Sequence, residues 1–367
     1  MANKSTNNNK PLKFHWRLLQ GGEGTGITRA LQHEVQQTAL PDVKAQQDFC
    51  KSAESSGIES LLVDFSYGKP DPLLLATALA LQTEKAKFMI AVRSGLLSPT
   101  LFVQQVNTFS ALTAGNRISL NVVAGYSPQE QRYYGDFLSH DERYARAEEF
   151  LAICNSFWNK NEAVNYDGKY FKIEDGRLNT PFLSKESSRP YIFIGGGSQL
   201  ARDLAIKQGD CWIRFADTPE NLVSSIEPVL KAGKEVGLRL SVIARATKKE
   251  AVNAAKALVE NLDDVGTKDI RNKEEKFVNK SDSVSIKEMY ENSEKEWLSD
   301  NLWAGAVRTH GSPLIALVGT PEEIASEFIR YKKIGVTQFI LLGWPKLEEM
   351  INFGKNIIPL IRKMENN

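Results

Sequence analysis

The chain has 367 residues, of which 42% are hydrophobic and 25% charged, a balance that excludes global disorder and supplies a sizeable core. Lys and Arg (46) nearly equal Asp and Glu (45), so the net charge of +1 lacks the basic surplus of nucleic-acid or anionic-membrane binders. A small neutral or anionic ligand is expected instead. The polar tail over residues 1–12 has no signal-peptide core, and no run of about 18 apolar residues could span a bilayer, so a cytoplasmic protein is expected. Cys50, Cys154 and Cys211 are odd in number and sit in separate apolar segments, which reads as core packing rather than a disulfide framework or a zinc site.

In chain order, apolar runs of strand length alternate with stretches of helical spacing. Strands are predicted at Phe14–Leu19, Ser60–Asp64, Lys87–Val92, Ile118–Ala124, Tyr191–Ile194, Cys211–Phe215, Leu238–Ala244 and Gln338–Leu342. Helices are predicted at Asp42–Ser56, Pro72–Gln82, Pro99–Thr113, Glu142–Trp158, Gln199–Lys207, Pro219–Val236, Lys248–Leu262, Pro321–Ile334 and Leu347–Lys363. The strands are Val-, Ile-, Leu- and Phe-rich without strict alternation, as parallel strands covered by helices are. Eight such units predict a single (β/α)8 TIM barrel over residues 1–367, with two insertions. The first, Ala163 to Pro181, alternates around Asp167-Gly168 and predicts a hairpin. The second, Asp263 to Gly311, predicts a helical or mobile excursion, then a loop of the kind that covers sites. An open doubly wound sheet is the rival architecture, but the glycine-rich turn Gly21 to Gly26 lacks the helix that a dinucleotide fold places after it.

In such a barrel the site lies at the carboxyl ends of the strands. After the fifth strand come Gly195-Gly196-Gly197-Ser198 and a helix, which is either an anion site suited to phosphate or a plain tight turn with a serine cap. Ser139-His140-Asp141-Glu142-Arg143-Tyr144 opens a helix and puts His140 and Tyr144 on one face, or is simply a capped, charged first turn. No pair of His residues has metal-ligand spacing, and neither a nucleophile elbow nor a phosphate-binding P-loop is present, so a metal site, a serine hydrolase and a triphosphatase are not supported. Arg239 alternates with Ser241 and Ile243 on one strand face, where an inward Arg needs an anionic partner and an outward one is a solvated strand start.

From about Trp16 to Pro359 the chain resembles the bacterial luciferase-like flavin-dependent monooxygenases, most closely their alkanesulfonate branch. The stretches that carry the resemblance run from Ala91-Val92-Arg93-Ser94-Gly95 to Thr100, from Asn116 to Gly125, through the His140 cluster to Phe150, and over Asn301-Leu302-Trp303-Ala304-Gly305 and Leu342-Gly343-Trp344-Pro345 to Glu349. The resemblance implies an oxygenase that takes reduced FMN (FMNH2) from a separate flavin reductase, reacts it with O2 to a flavin C4a-peroxide, oxygenates a small-molecule substrate and forms homo-oligomers. It places the FMN phosphate on Tyr144 and the Gly196, Gly197, Ser198 turn, with His140 nearby, and flavin-ring contacts on Asp64, Ser94 and Asn121. Arg239, Arg308 and Trp344 are its catalytic candidates, Arg308 as a mobile-loop arginine. Because water destroys such an oxygen adduct, the cavity should be apolar, with Phe65, Tyr67, Trp303 and Trp344 as candidate walls. Four departures from the branch set its substrate apart: Gly21 and Ser241 stand where it has His, Lys69 where it has Cys, and Trp344 where it has Tyr. Ser241 does no acid–base work near neutral pH. A substrate other than a simple alkanesulfonate is expected, such as one in a specialised biosynthetic pathway. A deazaflavin-dependent dehydrogenase on the same fold and a non-catalytic flavin-binding barrel are the rival readings.

Overall fold

The computed structural model describes residues 10–20, 40–159, 162–260 and 267–366. The glycine-rich turn at Gly21 and most of the polar tail lie outside the described residues. Eight parallel strands form the barrel: β1 (Lys13–Arg17), β2 (Ser60–Val63), β3 (Phe88–Val92), β4 (Ile118–Val123), β7 (Tyr191–Gly195), β8 (Cys211–Phe215), β9 (Glu235–Ala244) and β12 (Val336–Gly343). Each pairs with the next in this order, and β12 returns to β1 with Phe14 opposite Phe339, which closes the ring. Between β4 and β7 stands a separate antiparallel hairpin, β5 (Val164–Asp167) and β6 (Lys172–Gly176).

Helices follow the strands: α1 (Val43–Ser55), α2 (Pro72–Ala80), α3 (Pro99–Leu112), α4 (Pro128–Tyr133), α5 (His140–Asn159), α6 (Gln199–Gln208) and α7 (Pro219–Lys231). Their starts are written locally. Asp71 and Ser98 accept from the first free backbone N–H groups of α2 and α3, and each of these helices has Pro in its first turn, where the missing donor costs nothing. After β9 come α8 (Lys248–Glu260), α9 (Thr267–Lys280), α10 (Val284–Asn292), β10 (Leu302–Trp303), α11 (Val307–His310), β11 (Ala316–Gly319) and α12 (Pro321–Lys333), the last opened by a full Thr320–Glu323 capping box. After β12, the predicted single helix is three pieces: α13 (Lys346–Asn352), a π-helical turn (Phe353–Ile357) and α14 (Ile358–Glu365).

Two further differences have physical causes. Gly233, at φ +73°, ends the helix predicted to run to Val236, and β9 begins at Glu235 rather than Leu238. The resulting ten-residue strand outruns its five-residue neighbour β8, and β11 pairs beside its free half, Ala316 opposite Ser241, where no strand was predicted.

Leu62, Met89, Ala91, Phe193, Cys211, Ile213 and Ile340 pack together as one buried cluster of alternating strand residues that fills the barrel. The larger cluster lies between strands and helices and includes Phe14, Phe328, Phe339 and Phe353, with Phe328 and Phe339 edge to face at 4.7 Å. All three cysteines are free and buried, in keeping with a packing role. At the amino ends of the strands a polar chain closes the barrel. Glu235 accepts from Lys10 Nζ at 2.6 Å and from the Gln338 amide, Gln338 Oε1 accepts from His15 Nε2 at 2.8 Å, and His15 Nδ1 accepts from the Ser60 hydroxyl at 2.7 Å. Burial pushes the His15 imidazole down to about 4, so it is neutral at pH 7.

Candidate active site

The carboxyl ends of the strands surround a cavity of about 290 Å³. Asp64 follows β2 at its wall. Its carboxylate accepts from Arg17 Nε at 2.5 Å and Lys69 Nζ at 2.8 Å, and Arg239 Nη2 approaches at 3.4 Å. Burial alone would raise this carboxyl, but Lys69, Arg17 and Arg239 outweigh it and hold it well below the ordinary carboxylate range. Three cations thus converge on one carboxylate at the cavity wall. The inward reading of Arg239 is therefore the one the structure adopts, with Asp64 as its partner. Lys69 is one of the three neutralising cations.

A second polar wall follows β7, four strands around the barrel from β1. Gly196 has φ +143°, and a Cβ there would stand 2.6 Å from the Tyr144 hydroxyl; one on Gly197 would stand 2.4 Å from Ser285 Cβ. The turn is thus held at a closeness only glycine permits. Ser198 caps α6, accepting from Ala201 N at 3.2 Å, and lies on the same cavity wall as Tyr144. Burial raises the Tyr144 phenol, against smaller opposing effects of Ser198 and Arg143, so it stays protonated and able to donate. His140 sets its ring edge to face against Tyr144 at 5.0 Å and pairs Nδ1 with Asp141 at 2.9 Å. The sequence reading missed Ser283 and Ser285. Ser283 caps α10, lies 3.1 Å from the Ser285 hydroxyl, and with it lines the same cavity, so two helix N-termini meet there. Arg143 holds α10 in place by donating to Asp282 at 2.8 Å and to the Ala124 carbonyl at 2.9 Å.

Asp64, Asn121, His140, Tyr144, Gly196, Gly197, Ser198, Arg239 and Trp344 all line this one cavity. Ser94 and Arg308 are not brought to its wall. Ser94 is buried in the turn after β3, one residue beyond Arg93, which does line the cavity. Arg308 is held elsewhere. Its guanidinium donates to the Ser293 hydroxyl and the Tyr290 carbonyl, lies over the Tyr290 ring, and borders a second cavity of about 540 Å³. Of the aromatic walls, Phe65 and Trp344 line the site, whereas Tyr67 is exposed and Trp303 is fully buried with its Nε1 donating to Glu296. Ser241 is sealed off, its hydroxyl donating to the Pro313 carbonyl at 2.8 Å. His310, whose only sequence signal was its place beside Arg308, reaches the wall instead. Among the described residues no group of acidic, His and Cys side chains could hold a metal, and no helix is long and apolar enough to cross a membrane.

The fold is shared with several solved structures. A riboflavin lyase solved with a modified FMN and riboflavin superposes with a TM-score of 0.75 at 18% identity, over 97% of this chain and 92% of that one. The EDTA monooxygenase of Chelativorans sp. BNC1 gives 0.72 at 19% identity, over 97% and 94%. An F420-dependent secondary alcohol dehydrogenase gives 0.64 at 18% identity, over 96% and 100%. The family model described as luciferase-like monooxygenase matches residues 23–338, and by that match the chain belongs to the luciferase-like monooxygenase family.

Proposed function

We propose that the chain is a reduced-FMN-dependent monooxygenase that transfers one atom of O2 to a small organic substrate, with the reduced flavin delivered by a separate reductase. The observation that carries this reading is a single cavity with an anion-favouring wall, the capped glycine turn beside Tyr144 where two helix N-termini meet, opposite a charged cluster around Asp64. The residues fit the cofactor. The α6 N-terminus, the Ser198 and Tyr144 hydroxyls and His140 would hold its phosphate, with Gly196 and Gly197 allowing close approach. Asn121 Oδ1 is buried without a hydrogen-bond partner and, with Asp64, offers acceptors to a ring N–H. When bound, reduced flavin would supply the electrons that activate O2. Phe65 and Trp344 exclude water, and Arg239 places positive charge where negative charge would develop.

A homo-oligomer fits the surface. Helices α2 and α3 carry no charged residue and expose Leu74, Leu101 and Leu112, and an uncharged outer face with exposed leucines is one that a second copy would cover.

The test is to load the protein anaerobically with reduced FMN and mix it rapidly with oxygenated buffer. Reoxidation at a rate different from that of free reduced FMN is expected, and reoxidation at the free rate overturns the assignment. Replacing both Tyr144→Phe and Ser198→Ala should weaken FMN binding at least about tenfold, the scale of one lost charge-assisted hydrogen bond, whereas exposed Ser187→Ala should not. The F420-dependent neighbour favours deazaflavin hydride transfer as the second reading, and oxygen consumption separates the two.

A further inference from the structure

Among the described residues four arginines line the cavity, and three of them are ion-paired: Arg17 and Arg239 with Asp64, and Arg93 with Glu130. The fourth, Arg214 of β8, makes no ion pair with any described residue. Its side chain is half-buried and held in place by a neutral group. Nη1 donates to the Ser225 hydroxyl of α7 at 2.8 Å, and that hydroxyl donates onward to the Leu222 carbonyl at 2.9 Å. Nε is buried without a partner, whereas Nη2 is neither bonded to a described residue nor closed off from solvent. Burial disfavours this charge, Glu288 of α10 and Asp217 offset that through space, and Arg202 of α6 adds to it. Asp217 is already engaged, accepting from Thr218 N at 2.7 Å and from the Asn221 amide at 3.0 Å.

The guanidinium stands beside the glycine turn. Gly196 N donates to the Ile213 carbonyl at 3.0 Å, and Trp212 Nε1 donates to the Gly196 carbonyl at 2.7 Å. Two residues on, and so on the same face of β8, Arg214 Cζ lies 5.7 Å from the centre of the Trp212 ring. The indole that ties down the turn therefore also carries the cation. A half-buried charge that no carboxylate pairs with is costly unless an anion joins it, and the turn is where the cavity offers donors to one. We infer that Arg214 is the specificity-determining residue that reads charge at this turn, selecting a phosphomonoester over the uncharged alcohol it derives from. Near pH 7 such a group carries almost two negative charges, whereas a hydroxyl end would leave the guanidinium uncompensated. The inference rests on the flavin phosphate lying at the glycine turn. It goes further by making the choice of FMN over riboflavin depend on one side chain of β8.

The experiment titrates the full-length chain anaerobically with reduced FMN and with reduced riboflavin, followed by quenching of tryptophan fluorescence. Arg214→Gln removes the charge but keeps a donor for Ser225. It should weaken FMN binding at least about tenfold, the scale of one lost charge-assisted hydrogen bond, and leave riboflavin within about twofold. Arg214→Lys keeps the charge and should recover part of the loss. The FMN affinity of Arg214→Gln should also depend less on ionic strength than that of the unaltered chain. An Arg214→Gln chain that binds FMN undiminished, or that loses FMN and riboflavin alike, overturns the inference. Calorimetry with inorganic phosphate on the flavin-free chain separates this inference from the flavin reading. If neither flavin binds but phosphate does, and more weakly to Arg214→Gln, the flavin reading fails while Arg214 keeps its role. A chain that binds neither flavin nor phosphate, or binds phosphate without regard to Arg214, overturns that role.

Discussion

The two ends of the barrel are both polar, yet they use polarity oppositely. At the amino end Lys10, Glu235, Gln338, His15 and Ser60 answer one another in one continuous chain of hydrogen bonds, with the Tyr191 hydroxyl left outside it. At the carboxyl end the pairing is less complete. Three cations converge on the Asp64 carboxylate, and Asn121 Oδ1 and Trp344 Nε1 are buried without a hydrogen-bond partner among the described residues. Buried polar atoms are costly unless satisfied, so unpaired ones on residues that line the cavity are groups a ligand could answer. The lesson is that the surplus, rather than polarity itself, marks the working end.

The largest effect that bears on this contrast is a pH response common to both ends. His15 and His310 are each pushed by burial from 6.5 to about 4. From pH 6.5 downward the unfolded chain binds protons that the folded chain refuses until about pH 4, so stability falls across that window, by on the order of 3 kcal/mol per histidine at the limit. Urea unfolding at pH 7 and pH 4.5 measures it. A flat profile would remove the neutral-imidazole assignment from both ends. Next in size, Glu235→Leu strips the acceptor from Gln338 and Thr337 and should cost about 3 kcal/mol while leaving FMN affinity unchanged. A matching loss of FMN affinity would show that the two ends are not independent. The smallest effect is that of Arg308→Ala, whose partly exposed contacts with Ser293 and Glu294 predict a change under about 1 kcal/mol and FMN affinity within about twofold. A large loss of turnover in that variant would place Arg308 in the working end after all.

How much of this was legible in the sequence follows from what each feature depends on. The eight barrel strands are short apolar runs buried on both faces, and the helix starts are set by caps and prolines within a few residues, so both are written locally. The glycine turn and the His140 cluster were visible for the same reason. By contrast, β11 is four residues long and exists because β9 outruns β8, which no local pattern reports. Ser283 and Ser285 read as part of a charged excursion. What brings them to the cavity is a set of contacts from far along the chain, with Ser281 and Asp282 bonded to the Tyr126 carbonyl and Arg143 to the Asp282 carboxylate. His310 and Arg308 are two residues apart in one short helix, and only the packing of that helix decides which of them faces the cavity.

The seam of the barrel joins distant parts of the chain. β1 meets β12 with Lys13 opposite Gln338, and beyond it Glu365 accepts from Leu12 N at 2.8 Å while Arg362 donates to the Leu12 carbonyl at 2.7 Å. Closure at so large a sequence separation carries a high loop entropy and places this protein among slow, topology-limited folders. During synthesis the first strand must wait, with one edge bare, until almost the whole chain has emerged, and truncation at the carboxyl terminus would leave the sheet open on both sides of the gap.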